Sequence, residues 1–449
     1  VWNVSLVLAT GTLAIMGTFL VRSGILNSIH AFGGATLGVP FVVLIATLIV
    51  GCIYLVVSRR DMLRSEHRLD SLLSRESIFL ANNLVLVALC FVVFWGTYFP
   101  LISEALTGRE ASVGPPWFDR YTVPLALTLV LLSGIGPVIA WRRATLVNAR
   151  RSFATPVLAA LLALLVLVGA GVTQKPFAIA MFCCAAFVLG SIGQEFFRGV
   201  RARRAMARES FAVALLALVR RNRRRYGGYV VHVGMAVLFV GVAASSSFQH
   251  ASELSLSPGQ STRVGAYTIR YVRPTATITP RYDAAHTGST LSLGAQLDVS
   301  KHGHHVATLR PSEGYYDSGE PAQGSVGHLI GGQAVSHISM SAGVTRDVWT
   351  AIAPNITTPK LQRILTVGNR TLGPEEAVVA IGYLASSYLK EPPPAQFHFI
   401  VSPLVMWIWI GGLIVFGGGL IAIWPTPSSV RRRVSVRSRA RASQRLARA

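Results

Sequence analysis

Two histidines stand where ionisable side chains are costly. His232 lies inside the apolar run of RRYGGYVVHVGMAVLFVGVAASSSF, and His30 ends GTFLVRSGILNSIHAF, eight residues after Arg22. An ionisable group within hydrocarbon marks a functional site by default. A neutral imidazole there offers one nitrogen to a metal. Gly228, one turn earlier on the same face, together with Gly234 and Gly241, lets a helix or a flat macrocycle come close. The plainer reading of His232 is a histidine bonded to a neighbouring helix. His30 sits in a short apolar loop, either as an ordinary interfacial histidine or with its imidazole directed at something flat and greasy. Arg22 is a snorkelling anchor or the partner of an anionic group. Histidines toward opposite sides of a bilayer point to two sites rather than one.

The elements that must position them are membrane spans. Of 449 residues, 51% are hydrophobic and only 14% charged, and the mean hydropathy is +0.50. A soluble core of this size carries more charge. Apolar runs of ~20 residues, each able to cross ~30 Å of hydrocarbon as a helix, recur near 3–21, 39–57, 78–99, 122–141, 154–172, 176–197, 229–248 and 398–424. Arginines cluster after every second run, in SRRDMLRSEHR, WRRATLVNARR, RGVRARRAMAR and the tail RRRVSVRSRARASQRLARA, which places those loops in the cytoplasm. The net charge of +23 is then positive-inside charge beside anionic lipid, and nucleic acid is not needed to explain it.

The resulting expectation is a membrane protein, an all-α bundle of about eight helices with a small β-rich domain inserted before the last. Residues 1–207 hold six spans and the outward loop 22–38. Residues 208–228, a short apolar stretch followed by arginines, read as a basic interfacial helix. Span seven is 229–248, and 249–396 is an outward β domain of short β-branched strips such as TRVGAYTIRYV, STLSLGAQLDVS, DVWTAIAP and EEAVVAIGYLA. Span eight is 397–424, and 425–449 form a basic cytoplasmic tail. The chain begins without methionine at a hydrophobic span, and is expected to be a fragment or one part of a split polypeptide.

Other reactive residue types are read as bland. Cys52, Cys90, Cys183 and Cys184 all fall in spans and none forms a CxxC, so no thiol–disulfide chemistry is expected of them. KHGHH at 301–305 reads as a solvated hairpin turn without a cysteine or carboxylate partner, not as a metal site. His250 and His398 flank spans seven and eight as interfacial residues. Glu195 is the clear intramembrane carboxylate.

Three segments in order, GTFLVRSGILNSIHAF, RRYGGYVVHVGMAVLFVGVAASSSF and FHFIVSPLVMWIWIGGLIVFGGGLIAIWP, resemble landmark segments of the CcmF/NrfE family of bacterial cytochrome c-type biogenesis proteins. LRPSEGYY and RDVWTAI stand where that family has two aromatic motifs of its β domain. The resemblance implies a haem-handling subunit of the cytochrome c maturation haem lyase, in the bacterial inner membrane with its β domain periplasmic. Such a subunit takes haem from the carrier CcmE and supports its thioether attachment to CxxCH of apocytochrome c, alongside a CcmH-type thioreductase. His30 then corresponds to an axial ligand of the delivered haem, His232 to an axial ligand of a transmembrane haem b, and Arg22 to a contact for a haem propionate. No residue is assigned as catalytic. Attachment needs ferrous haem and reduced cysteines, so exchangeable imidazoles must hold the iron until the CxxCH histidine replaces them.

The family's tryptophan-rich WWD segment and its other axial histidines have no counterpart here, since the eight tryptophans are scattered. A partner carrying that segment is therefore implied, and this chain supplies one ligand to each haem. The rival readings are a non-catalytic membrane scaffold and a haem or proton transporter; the transporter predicts more intramembrane carboxylates, and Glu195 is the one clear candidate in the spans.

The arginine asymmetry predicts that topology reporters fused after residue 70 or 440 report cytoplasm and one near residue 300 reports the outside. The reverse pattern would overturn the assignment.

Overall fold

A computed structural model describes residues 1–23, 38–64, 71, 74–139, 146–283, 286–316, 333–356, 359, 363 and 374–425. Eight helices among them are long and apolar enough to cross a membrane: α1 (Trp2–Arg22), α2 (Gly38–Ser58), α3 (Arg75–Thr107), α4 (Pro115–Val138), α5 (Leu146–Gly169), α6 (Pro176–Ala207), α8 (Arg223–Ser247) and α10 (Val405–Ile423). Between α6 and α8 lies the short helix α7 (Phe211–Arg221). It ends at Asn222, so Arg223–Gly228, read from the sequence as interfacial, open α8 instead.

The chain divides into two compact units, one of Val1–Leu132 with Ile139–Arg151 and the other of Ser133–Val138 with Ser152–Ala449. In the first, α3 meets α4 where Gly96 leaves room for Phe118, whose ring would lie 2.3 Å from an added Cβ. Ser74 caps α3, accepting from the Ser77 amide at 3.3 Å.

In the second unit α8 and α10 are in backbone contact. Gly227, Gly234 and Gly241 recur every seven residues on α8; Gly227 faces Gly418 and Gly234 faces Gly411 on α10, and Gly241 meets the Ile408 backbone. A Cβ on Gly234 would sit 2.6 Å from the Val415 nitrogen and 2.7 Å from the Gly411 carbonyl oxygen, and one on Gly411 would sit 2.5 Å from the Leu238 nitrogen. Only hydrogens fit there, the usual basis of tight helix pairing in lipid. Gly228, singled out in the sequence, does not take part: nothing lies within 4 Å of its added Cβ.

The helix pair continues as a strand pair. Strand β1 (His250–Leu256) follows α8, strand β10 (Ala395–Pro403) leads into α10, and the two pair antiparallel from His250 opposite Val401 to Leu256 opposite Ala395. With β8 (Ser339–Ser341) and β9 (Arg346–Ala353) they form a sheet of order β1-β10-β9-β8. The second sheet runs β2 (Ser261–Val264), β3 (Tyr267–Asp283), β4 (His286–Lys301), β6 (Ser312–Tyr316) and β7 (Gln333–His337), with β5 (His304–Leu309) also paired to β4. Tyr271, Leu297, Val348, Phe397 and Phe399 share the core between the sheets. The β8–β9 turn of the first sheet joins α10: the Trp407 indole donates to the Val344 carbonyl at 3.1 Å, and the Leu404 amide donates to that of Thr345 at 3.0 Å.

Three readings of the sequence are corrected here. EEAVVAIGYLA is not a strand: it lies in helix α9 (Pro374–Lys390), whose Ile381, Leu384, Ala385 and Tyr388 are buried at helical spacing against Leu291, Leu293 and Tyr315. Span eight begins at Val405, and residues 398–403 belong to β10. His305 has a carboxylate partner, because β5 pairs with β4 and sets its Nδ1 2.5 Å from Asp298 Oδ1. The KHGHH turn itself is as expected, with His302 and Gly303 at positive φ between β4 and β5. No group of three or more metal-ligating side chains occurs among the described residues.

Glu313 on β6 is half-buried, and burial pushes its carboxyl above the usual carboxylate value. A group that keeps its proton longer when folded contributes stability at low pH that is lost as pH rises through its folded pKa. Glu313→Gln should therefore raise the thermal midpoint at pH 7.5 more than at pH 5, followed by circular dichroism. An equal effect at both pH values would show that Glu313 is solvated in the folded state.

Candidate functional site

His232 is set by where α8 spends its small residues. At 3.6 residues per turn, position 232 lies about 160° around the helix from Gly234, so the backbone contact with α10 directs the imidazole away from that helix. The side chain is half-buried and has no hydrogen-bond or ion-pair partner among the described residues. Gly228, Met235 and Phe239 share its face of α8, and the space beside Gly228 is open. His232 lies about 13 Å along α8 from its start at Arg223.

On the neighbouring side of α8, toward α6, is an ion cluster that the sequence did not disclose. Arg225 Nη2 lies 2.5 Å from Glu195 Oε2, Arg225 Nε donates to the Tyr229 hydroxyl at 2.8 Å, and that hydroxyl donates to Glu195 Oε2 at 3.4 Å. Arg198 Nη1 stands 3.7 Å from the other Glu195 oxygen, and the Glu195 side chain is 12% exposed. Phe196 packs on Tyr226 and Tyr229, closing α6 against α8. Glu195 was visible as an intramembrane carboxylate, but Arg225 was hidden in a run of arginines. A carboxylate contacted by two guanidiniums and a phenol ties α6 to α8.

Arg22 ends α1 as an exposed residue in its last turn, in the first unit, whereas His232 is in the second. His30 lies outside the described residues. The four cysteines are free, Cys52 on α2, Cys90 on α3 and Cys183 with Cys184 on α6. His398, expected beside a span, is in β10, with Nδ1 3.6 Å from Glu253 and its ring edge-on to Trp349.

The donor set of α8 fits one side of a flat, metal-bearing macrocycle. It offers one unpartnered imidazole, a glycine in place of an obstructing side chain, and apolar neighbours. No second histidine occurs on α8.

No protein-family model matches the chain. It is 27% identical over 428 residues to the cytochrome c-type biogenesis protein CcmF of Haemophilus influenzae, covering 94% of this chain and 56% of that protein. To CcmF of Pseudomonas aeruginosa it is 29% identical over 446 residues, 98% of this chain and 57% of the relative. NrfE of Haemophilus influenzae is 22% identical over 440 residues, with 94% and 56% covered. Among solved structures, the cytochrome c haem lyase CcmF superposes with a TM-score of 0.58 at 22% identity, over 94% of this chain and 55% of that one. The chain thus spans about half the length of the relatives it matches. Its resemblance to the CcmF/NrfE family of cytochrome c-type biogenesis proteins runs through nearly the whole of its sequence and through its fold.

Proposed function

We propose that this chain is a haem-handling subunit of a cytochrome c haem lyase in the bacterial inner membrane, with its β domain on the periplasmic side. The observation that carries the proposal is His232, turned away from α10 beside an uncovered glycine within a membrane span. His232 would hold a haem b through one imidazole nitrogen. When bound, that haem supplies an iron able to accept and release one electron. The chain's own part is to orient the imidazole, keep water out with apolar neighbours and fix the adjoining helices through Glu195, Arg225 and Tyr229.

The haem that is substrate would be met elsewhere, by His30 as an axial ligand and Arg22 as a propionate contact, after delivery from CcmE. Its acceptor would be the CxxCH motif of apocytochrome c, kept reduced by a CcmH-type partner. The second ligand of each haem would come from a polypeptide carrying the WWD segment. The proton-transporter reading is disfavoured by Glu195, the intramembrane carboxylate, which is engaged by Arg198 and Arg225 between α6 and α8.

Co-expressed with the N-terminal partner, the wild-type chain should show the sharp α and β bands of low-spin, six-coordinate b-type haem after reduction. His232→Ala should lose or broaden those bands and lower the yield of c-type cytochromes, because alanine is tolerated by a helix but ligates nothing. His30→Ala should spare the bands and impair capture of haem from the carrier, and His302→Ala should do neither. A full bis-histidine spectrum in His232→Ala would make His232 a packing residue.

A further inference from the structure

Arginine is in excess at the α6–α7–α8 end of the second unit, beyond what its carboxylates can match. From Arg198 to Arg225 there are ten arginines, against Glu195 and Glu209. Both carboxylates are taken, Glu195 by Arg198 and Arg225, and Glu209 by Arg203 at 2.7 Å. Arg220 and Arg221 close α7 and Arg224 opens α8, all exposed, and no ion-pair partner for them occurs among the described residues. Arg223 is half-buried and spends one donor on the Pro425 carbonyl, at 3.1 Å.

Beside Arg223 is a recess of about 230 Å³ whose other walls are Leu420, Ile421 and Trp424. It is amphipathic: a guanidinium on one side, aliphatic and indole surface on the other. It lies where α8 begins and α10 ends, so it sits at the end of two membrane-spanning helices. Nearby, α7 leaves Phe211, Val213 and Leu216 exposed, more than half of each side chain's surface, as a helix lying in an interface does.

We propose that this corner is a binding site for one anionic phospholipid. Arg220, Arg221, Arg223 and Arg224 take the phosphate and headgroup, and the recess between Arg223 and Trp424 takes the start of an acyl chain. A planar guanidinium gives bidentate contacts to phosphate oxygens. A soluble anion would satisfy the arginines but would have no use for the apolar walls, and a zwitterionic lipid would fill the walls but bring its own cation to the arginines. Only a lipid with net negative charge matches both halves. The inference is independent of the haem-handling role.

The test uses Trp424 as the probe. The full chain is reconstituted in phosphatidylcholine vesicles in which an equal fraction of either phosphatidylglycerol or phosphatidylcholine carries brominated acyl chains. The Trp424 contribution is the difference between the wild type and Trp424→Phe. Brominated phosphatidylglycerol should quench it several-fold more effectively than brominated phosphatidylcholine, on the order of threefold or more given four basic groups at the surface. Replacing Arg220, Arg221, Arg223 and Arg224 together by Gln should remove the preference, and excess inorganic phosphate should leave it in the wild type. Equal quenching by the two lipids in the wild type would overturn the proposal, whatever the arginine variant does. So would a preference that survives in the glutamine variant, or one that inorganic phosphate abolishes.

Discussion

The backbone contact between α8 and α10 is the constraint on which the rest of the second unit depends. Lipid gives helices no hydrophobic reason to associate, so pairing rests on close van der Waals fit, and five glycines at seven-residue spacing supply it. That fit admits no side chain at Gly227, Gly234 or Gly411, where the opposing backbone atoms stand within 2.8 Å of any added Cβ. The antiparallel β1–β10 ladder extends the same pairing beyond the helices, with His250 opposite Val401, so strand register and helix register fix one another.

Once α8 is locked on one face, its other faces acquire separate roles. Tyr226 and Tyr229 turn toward α6, where Phe196 and the Glu195–Arg225 pair meet them. His232, Gly228, Met235 and Phe239 are left on a face that α10 does not cover. A half-buried imidazole with no hydrogen-bond or ion-pair partner among the described residues, beside an uncovered glycine, suits a ligand.

The eight spans were legible because ~20 consecutive apolar residues leave few alternatives, and the β strips because their alternation matches a half-buried strand. What escaped did so for physical reasons. The β-branched Val378, Val379 and Ile381 made α9 look extended, although Ile381, Leu384, Ala385 and Tyr388 carry the helical period. The start of α10 was obscured because Phe397, Phe399 and Val401 face a sheet core and merge, as bare hydropathy, into the span that follows. Gly228 neighbours His232 in the helical pattern, but it is Gly227, at seven-residue spacing from Gly234 and Gly241, that makes the contact, and both glycines fit a local reading of the sequence equally well. Arg225 differs from the arginines around it only through Glu195, thirty positions away in sequence, and no local pattern reveals such a pair.

The central claim is that one face of α8 is closed by glycine contact and that the far face, with His232 and the open Gly228, takes the proposed haem. The most direct measurement compares leucine at the two adjacent glycines, in the chain co-expressed with the proposed WWD-bearing partner, reading bound haem per protein and the thermal midpoint together. Leucine favours helix over glycine, so neither change weakens α8 itself. Gly228→Leu should leave the midpoint near that of the wild type while most of the b-type haem is lost, and Gly227→Leu should lower both. A Gly228→Leu protein with full haem occupancy, or a Gly227→Leu protein as stable as the wild type, would contradict the account.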